Sequence, residues 1–245
     1  MKNTEFYNSI SNFYDEMINL DSSVSAKKTL FPYFIQKNYK DAIDLGCGSG
    51  ADSIALASLG LNVSAFDSST KMLESAKKNS NSYNFKIKFS FIDLENFKTF
   101  NERTDFVISM GNTLANISSK SINKVFKNIF QTLNVGGSFL FQILNYERII
   151  NEKERLISIT ENNDSIYVRF YDFEKATLGF NILAIPKNNL KSTKIFTSTI
   201  YPHMKDILVG LLNSAGFSKI KVYGSFKKEK FNSIKSKDLI IHSVR

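Results

Sequence analysis

Cysteine is nearly absent from this sequence. Cys47 is the single one among 245 residues, which excludes an intramolecular disulfide and a metal site built from several cysteines. Proline is scarce as well, at three residues, and neither an internal repeat nor a low-complexity linker breaks the chain. No apolar run approaches the roughly 20 residues that span a bilayer. The opening stretch "MKNTEFYNSISNFYDEM" lacks a continuous apolar segment and carries Glu5, Asp15 and Glu16, so it does not read as a secretory signal. A cytoplasmic location is the resulting expectation, with no membrane partner.

What is present is ordinary for a globular chain. Apolar residues make up 42% and charged residues 22%, enough for a buried core in one large domain or a domain with an insertion. The net charge of +9 invites an anionic partner, because clustered Lys and Arg neutralise phosphates. Here the lysines are scattered, whereas a nucleic-acid footprint is one patch. Nucleic acid is therefore the lesser expectation.

Apolar strand-like runs alternate with helical patterns from residue 40 onward, which predicts a parallel sheet covered on both faces. The strands are "KDAIDL", "NVSAFD", "IKFSFIDL", "TDFVISM" and "GSFLFQIL", and the helices are "ADSIALASLG", "STKMLESAKKN" and "SKSINKVFKNIFQTL". Ser69 is placed to cap the second helix, while Gly136 and Gly137 follow the third. From 151 to 200 the rhythm changes to "DSIYVRFYDF", "ATLGFNILAI" and "KIFTSTIYP", whose alternation predicts three antiparallel strands. A helix, "HMKDILVGLLNSAG", and two strands, "KIKVYG" and "DLIIHSV", close the pattern. The expected fold is α/β: a doubly wound, mostly parallel seven-stranded Rossmann-like sheet formed by 1–150 and 201–245. Residues 1–39 form a helical cap and 151–200 an inserted antiparallel lid.

The stretch "IDLGCGSGADS", residues 43 to 53, carries the chemistry. If a strand precedes it and a helix follows, Gly46, Gly48 and Gly50 form the tight turn between them and let a ligand lie against backbone. The helix then aims its free amides at the same crevice, favouring a carboxylate or phosphate. A dinucleotide satisfies this reading, since Gly46, Gly48 and Ala51 match the relaxed G-x-G-x-x-A form and Asp67 ends the next strand. Another adenosine-containing cofactor satisfies it too, because Asp67 can accept both ribose hydroxyls in either. Two carboxylates favour the second: Asp44 repels a pyrophosphate but suits an amino group, and Asp93 ends the third strand where an adenine amine can be read.

The ordered set "AIDLGCGSG", "AFD", "FIDLENF", "TDFVISMGNTLANI" and "LNVGGSFLFQI" resembles the motifs of class I S-adenosylmethionine-dependent methyltransferases. The end, from "LLNSAGFSKIKVYGSF" to "SKDLIIHSV", resembles that family's terminal helix and hairpin. The resemblance implies S-adenosylmethionine as cofactor and S-adenosylhomocysteine as product. It puts Gly46 and Gly48 against the methionine portion, Asp44 toward the amino group through water, Asp67 on the ribose, and Asp93 with Leu94 at the adenine. The backbone around Met110 and Gly111 flanks the sulfonium. Cys47 reads as a small buried residue of the loop.

A narrower likeness lies in "MGNTLANI" and "LNYERII", which are similar to segments of glycine and sarcosine N-methyltransferases. It implies a small-molecule acceptor under a roof of added strands, methylated on nitrogen or oxygen. That subgroup carries an arginine before the Asn-Tyr pair, whereas Leu144 stands here; an aliphatic group cannot pair a carboxylate. Asn116 replaces the subgroup's histidine. Tyr14, Asn112 and Tyr146 are the expected positioning residues, and Asn112, Asn116, Tyr146, Arg169 and His203 the expected acceptor contacts. Tyr7 belongs with them. The alternatives are a methyltransferase of RNA or protein and a cofactor-binding module without turnover.

Overall fold

A computed structural model describes residues 3–96, 98–99 and 103–245; Met1, Lys2 and the Phe97 of "FIDLENF" lie outside the described residues. Helices α1 (Asn3–Ile18) and α2 (Leu20–Leu30) come first, followed by β1 (Asp41–Leu45), α3 (Ala51–Ser58), β2 (Asn62–Asp67), α4 (Thr70–Ser82), β3 (Lys88–Phe91) and β4 (Thr104–Ser109). Then come α5 (Ile122–Thr132), β5 (Leu133–Leu144), the short α6 (Tyr146–Asn151), four strands β6 (Leu156–Glu161), β7 (Ser165–Phe173), β8 (Leu178–Pro186) and β9 (Lys194–Ile200), α7 (Lys205–Ala215), β10 (Ser218–Tyr223) and β11 (Asp238–Val244). Among the described residues no helix is long and apolar enough to cross a membrane.

The main sheet has the order β10-β11-β5-β4-β1-β2-β3. Its strands β1 to β5 run parallel, and β11 enters antiparallel beside β5 with β10 completing the hairpin. The central strands are continuous apolar runs because both faces are covered: β1 is buried at every residue after Asp41, as parallel strands between helices must be. One face packs Phe126, Phe139, Phe141 and Leu212 against α5 and α7; the other packs Ala55, Leu56, Phe106 and Leu140 against α3 and α4. Two helix ends are fixed as their residues demand. Ser69 accepts the Met72 N–H at 3.1 Å, and Gly216 takes φ +104° to stop α7.

The sheet order reverses between β1 and β4, which opens a crevice at their carboxyl ends. The four strands β6 to β9 form a separate antiparallel sheet. The sequence pattern predicts three; β6 is the addition, and a bulge between Leu156 and Ser158 breaks its alternation. The inner face of this sheet lies on α1, where the Phe13 and Tyr167 rings stack at 5.0 Å and Phe6 and Ile182 are fully buried.

Candidate active site

The crevice is a cavity of about 620 Å³. Its floor is the loop after β1. Gly46 and Gly48 have φ of +78° and +52°, and the Gly46 and Cys47 amides both donate to the Phe66 carbonyl at 2.8 and 3.0 Å. The third glycine, Gly50, is the cap from which α3 starts.

Asp67 closes this floor at the end of β2. One carboxylate oxygen accepts the Gly48 N–H at 2.9 Å and the other the Ser69 N–H at 2.8 Å, so the residue ties the glycine loop to the start of α4. Each carboxylate oxygen has a second lone pair for a ligand hydroxyl. Burial lifts the carboxyl above the usual range, and the Ser69 and Gly48 amides counter it.

Asp93 and Leu94, after β3, and Met110 and Gly111, after β4, form the adjoining wall. The Asp93 carboxylate is partly spoken for: it accepts from the Glu95 N–H at 3.0 Å and the Asn96 side chain at 2.8 Å. A Cβ added to Gly111 meets nothing within 4 Å, so ligand can approach this backbone closely. Opposite, α1 contributes Asn3, Thr4, Tyr7 and Tyr14, and the segment ending β9 adds Thr199 and Tyr201. Lys27 and Asp52, also on the wall, pair at 2.6 Å.

Asp44 lies behind the loop instead of on the wall. It is 1% exposed and accepts the Ser53 hydroxyl at 2.6 Å. Burial and the Asp52 charge push its pKa up to about 8, against the pull of Ser53 and Lys27. A carboxyl with a raised folded-state pKa stabilises the fold while protonated and loses that contribution as pH rises from about 4 to about 8. Asp44→Asn keeps an acceptor for Ser53 without the charge. In the absence of ligand it should match the wild type only near pH 4, at the foot of that window, and melt roughly 4–8 °C higher at pH 8.5, corresponding to about 2 kcal/mol. Thermal denaturation at both pH values decides; parallel curves would remove the buried-charge account.

Besides Asp44, four sequence-predicted residues are not on the cavity wall. Asn112, at φ +69°, turns back into the protein: its amide donates to the Tyr146 hydroxyl at 2.7 Å and its carbonyl accepts the Leu144 N–H at 3.0 Å. Tyr146 is 1% exposed and is consumed by that pairing, so both hold β4, β5 and α6 together beneath the site. Arg169 does share the inner face of β7 with Tyr167 and Tyr171, but its Nε donates to the Ser158 hydroxyl at 2.7 Å. His203 is buried, with Nε2 at 2.9 Å from the Ile117 carbonyl, and burial lowers its pKa.

Of the residues expected to position or contact the acceptor, Tyr7, Tyr14 and Asn116 do reach the wall. Tyr14 lies across from Gly48, and burial raises its phenol pKa. Asn116 donates to the Tyr7 hydroxyl at 3.3 Å and the Thr113 carbonyl at 3.2 Å. Burial moves the Tyr7 phenol to about 12, so it is a neutral donor and acceptor near pH 7. Sequence reasoning missed Asn3, Thr4, Lys27, Asp52, Glu95, Thr113, Thr199 and Tyr201. Of these, Asp52 in "IDLGCGSGADS", Glu95 in "FIDLENF" and Thr113 in "MGNTLANI" lay inside motifs the sequence singles out; the others carried no local signal.

The wall also holds polar atoms that lack a protein partner. Ser49 Oγ and Asn116 Oδ1 are buried without one, and buried polar groups are ordinarily satisfied. A ligand with several donors and acceptors, one end seated on the glycine loop and the other at Asp93, matches this set.

Residues 42–137 match the family model described as "Methyltransferase domain". The chain is 24% identical over 220 residues to the glycine/sarcosine N-methyltransferase of Aphanothece halophytica, covering 88% of this chain and 80% of that protein. Among solved structures, an S-adenosylmethionine-dependent methyltransferase from Clostridium acetobutylicum superposes with a TM-score of 0.76 at 19% identity, over 97% of this chain and 98% of that one. An amino pentose methyltransferase from Micromonospora echinaspora does so with a TM-score of 0.67 at 13% identity, over 92% and 91%.

The fold, the glycine floor with its acidic partners and these relatives define an S-adenosylmethionine-dependent enzyme. The fold is that of class I S-adenosylmethionine-dependent methyltransferases, and the matched methyltransferase domain together with the named relatives supports S-adenosylmethionine-dependent methyl transfer by this chain. When bound, that cofactor supplies an electrophilic methyl group on a sulfonium. The residues present fit it: Gly46 and Gly48 would offer backbone to its methionine end, Asp67 would accept from its ribose hydroxyls, and Asp93 and Leu94 would receive its adenine.

Proposed function

We propose that the enzyme methylates a nitrogen or oxygen of a small, polar, uncharged or basic molecule. The observation that carries this is the lining of the cavity beyond the cofactor loop. Asn3, Thr4, Tyr7, Asn116, Thr199 and Tyr201 are neutral hydrogen-bonding groups, and the one cation on the wall among the described residues, Lys27, is already paired with Asp52. A carboxylate acceptor finds no cation of its own there. Leu144, where an arginine is expected for a glycine acceptor, agrees with this.

The volume agrees too. About 620 Å³ falls within the roughly 300–1,000 Å³ typical of small-molecule sites, and the cofactor takes part of it. The amino pentose methyltransferase among the fold relatives acts on an acceptor of the proposed kind. Tyr7, Asn116 and the β9 end would orient the acceptor, and α1 would keep water out. Positioning of this kind lowers a displacement barrier by roughly 7–11 kcal/mol, so a dedicated base is not required for an amine that arrives neutral.

The test is transfer of labelled methyl from S-adenosylmethionine to a panel of amines, hydroxylated amines, phenols and amino acids, with protein and RNA substrates in parallel. The expected result is label in a hydroxylated amine or phenol, with Tyr7→Phe and Asn116→Ala raising KM for the acceptor at least tenfold. Label only in protein or RNA, or a preference for glycine, would overturn the reading.

A further inference from the structure

The outer face of the small sheet carries an uncovered apolar surface. Register places Ile159 of β6 opposite Val168 of β7, Val168 opposite Leu183 of β8, and Leu183 opposite Ile195 of β9. This is one unbroken row of branched aliphatic residues across all four strands. On one side Ile166 stands opposite Ile185, and on the other Leu156 opposite Phe170. Ile159 is 62%, Ile195 57% and Leu156 52% exposed. Val168, Leu183, Ile166 and Ile185 belong to none of the apolar clusters of the core. The inner face, by contrast, packs Tyr167, Phe180, Ile182 and Phe196 against α1.

An antiparallel sheet with one wet face normally alternates apolar inside with polar outside. Here the outer parity is apolar across its central row, with Asn181, Thr197 and Asp172 toward one strand end, which is more apolar than a fully wet face requires. With strands about 4.8 Å apart and about 3.4 Å per residue, the face measures about 20 by 20 Å. That flat ~400 Å² covers the polar positions of the face as well as the apolar row, and with side-chain relief it falls within the roughly 300–600 Å² of the largest patch a typical monomer leaves exposed. Summed over two copies the flat area is about 800 Å², and side-chain relief brings it toward the ~1,000 Å² that a specific interface needs.

We infer that this face is a homodimer interface, sheet packed on sheet through a second copy of the chain. The rim suits a copy. One end of the strands carries Glu161 paired with Lys187 at 2.9 Å, and the other Arg155 paired with Asp172 at 3.6 Å. Asp164, Lys191 and Lys194 lie beside the first pair and Glu174 and Lys175 beside the second, so each end mixes acids with bases and two identical faces do not meet rim to rim with a single sign of charge. A twofold arrangement is the commonest closed symmetry for a self-complementary patch, and facing sheets interdigitate across about 10 Å. The rim does not have the uniformly basic character that an anionic membrane surface selects.

Sedimentation velocity of the full chain across micromolar to tens-of-micromolar concentrations tests this. The expected species has twice the 27.8 kDa chain mass. Val168→Glu and Leu183→Lys should each sediment as single chains, with unchanged far-UV circular dichroism and S-adenosylmethionine affinity. Ile159→Lys, at the most exposed position of the row, serves if either of those misfolds. Two results would overturn the interface: wild-type protein of single-chain mass at every concentration, whether or not it co-sediments with anionic lipid vesicles, or charged variants that retain the dimer mass.

Discussion

Asp67→Ala should weaken S-adenosylmethionine binding by two to four orders of magnitude in a calorimetric titration while the far-UV spectrum stays unchanged. The carboxylate is built into the floor through the Gly48 and Ser69 amides, and its remaining lone pairs are available to the ribose hydroxyls. Charge-assisted bonds contribute about 1.5–3 kcal/mol each, so losing two removes about 3–6 kcal/mol, at 1.4 kcal/mol per tenfold. The fold survives because Asp67 is outside the apolar clusters. Asp67→Asn keeps the volume but sets one oxygen against two backbone donors, so it should fall between alanine and wild type. Because burial raises the carboxyl's pKa, wild-type affinity should decline on acidification sooner than an ordinary aspartate would cause, and this decline should vanish in Asp67→Ala. Unchanged affinity in the alanine variant would remove the ribose assignment.

Much of the main sheet was legible in the sequence because its strands are buried on both faces and read as apolar runs ended by turn residues. "DAIDL", "NVSAFD" and "TDFVIS" match β1, β2 and β4. β6 was not, because its bulge puts Leu156 and Ser158 out of alternation. The site divides in the same way. The floor was legible because its components follow strand ends in order: Gly46 after β1, Asp67 closing β2, Asp93 after β3, Met110 after β4. Side-chain direction was not. Asn112 stands one residue past Gly111, yet its left-handed backbone aims it at Tyr146, and nothing local in "MGNTLANI" separates the two directions. The roof was hidden for another reason. Asn3 and Ser198 share a hydrogen bond across 195 positions, so α1 and β9 meet over the cavity only through the tertiary fold.

The glycine floor leads to a second strong expectation, and it separates two residues that look equivalent in sequence. A Cβ on Gly46 would fall 2.2 Å from Thr113 Cγ2 and 2.9 Å from Thr113 Cβ. Thr113 cannot simply rotate away, because its hydroxyl donates to the Met110 carbonyl at 2.8 Å on the cavity wall beside Gly111. A Cβ on Gly48 would meet only Tyr14 Cε1, at 3.8 Å, an ordinary contact. Both carry the left-handed penalty of about 1–2 kcal/mol for a non-glycine residue, but only Gly46 adds overpacking, about 1–3 kcal/mol. Gly46→Ala should therefore lose about 2–5 kcal/mol of stability and most of its cofactor binding. Gly48→Ala should lose no more than the backbone penalty and retain measurable affinity. Thr113→Ala removes Cγ2 and Oγ1, the two nearest atoms, so Gly46→Ala combined with it should recover part of the loss. A double-mutant cycle by denaturant unfolding reads this as a coupling energy. Strict additivity would mean that backbone strain alone makes position 46 a glycine, and that Thr113 has no part in shaping the loop.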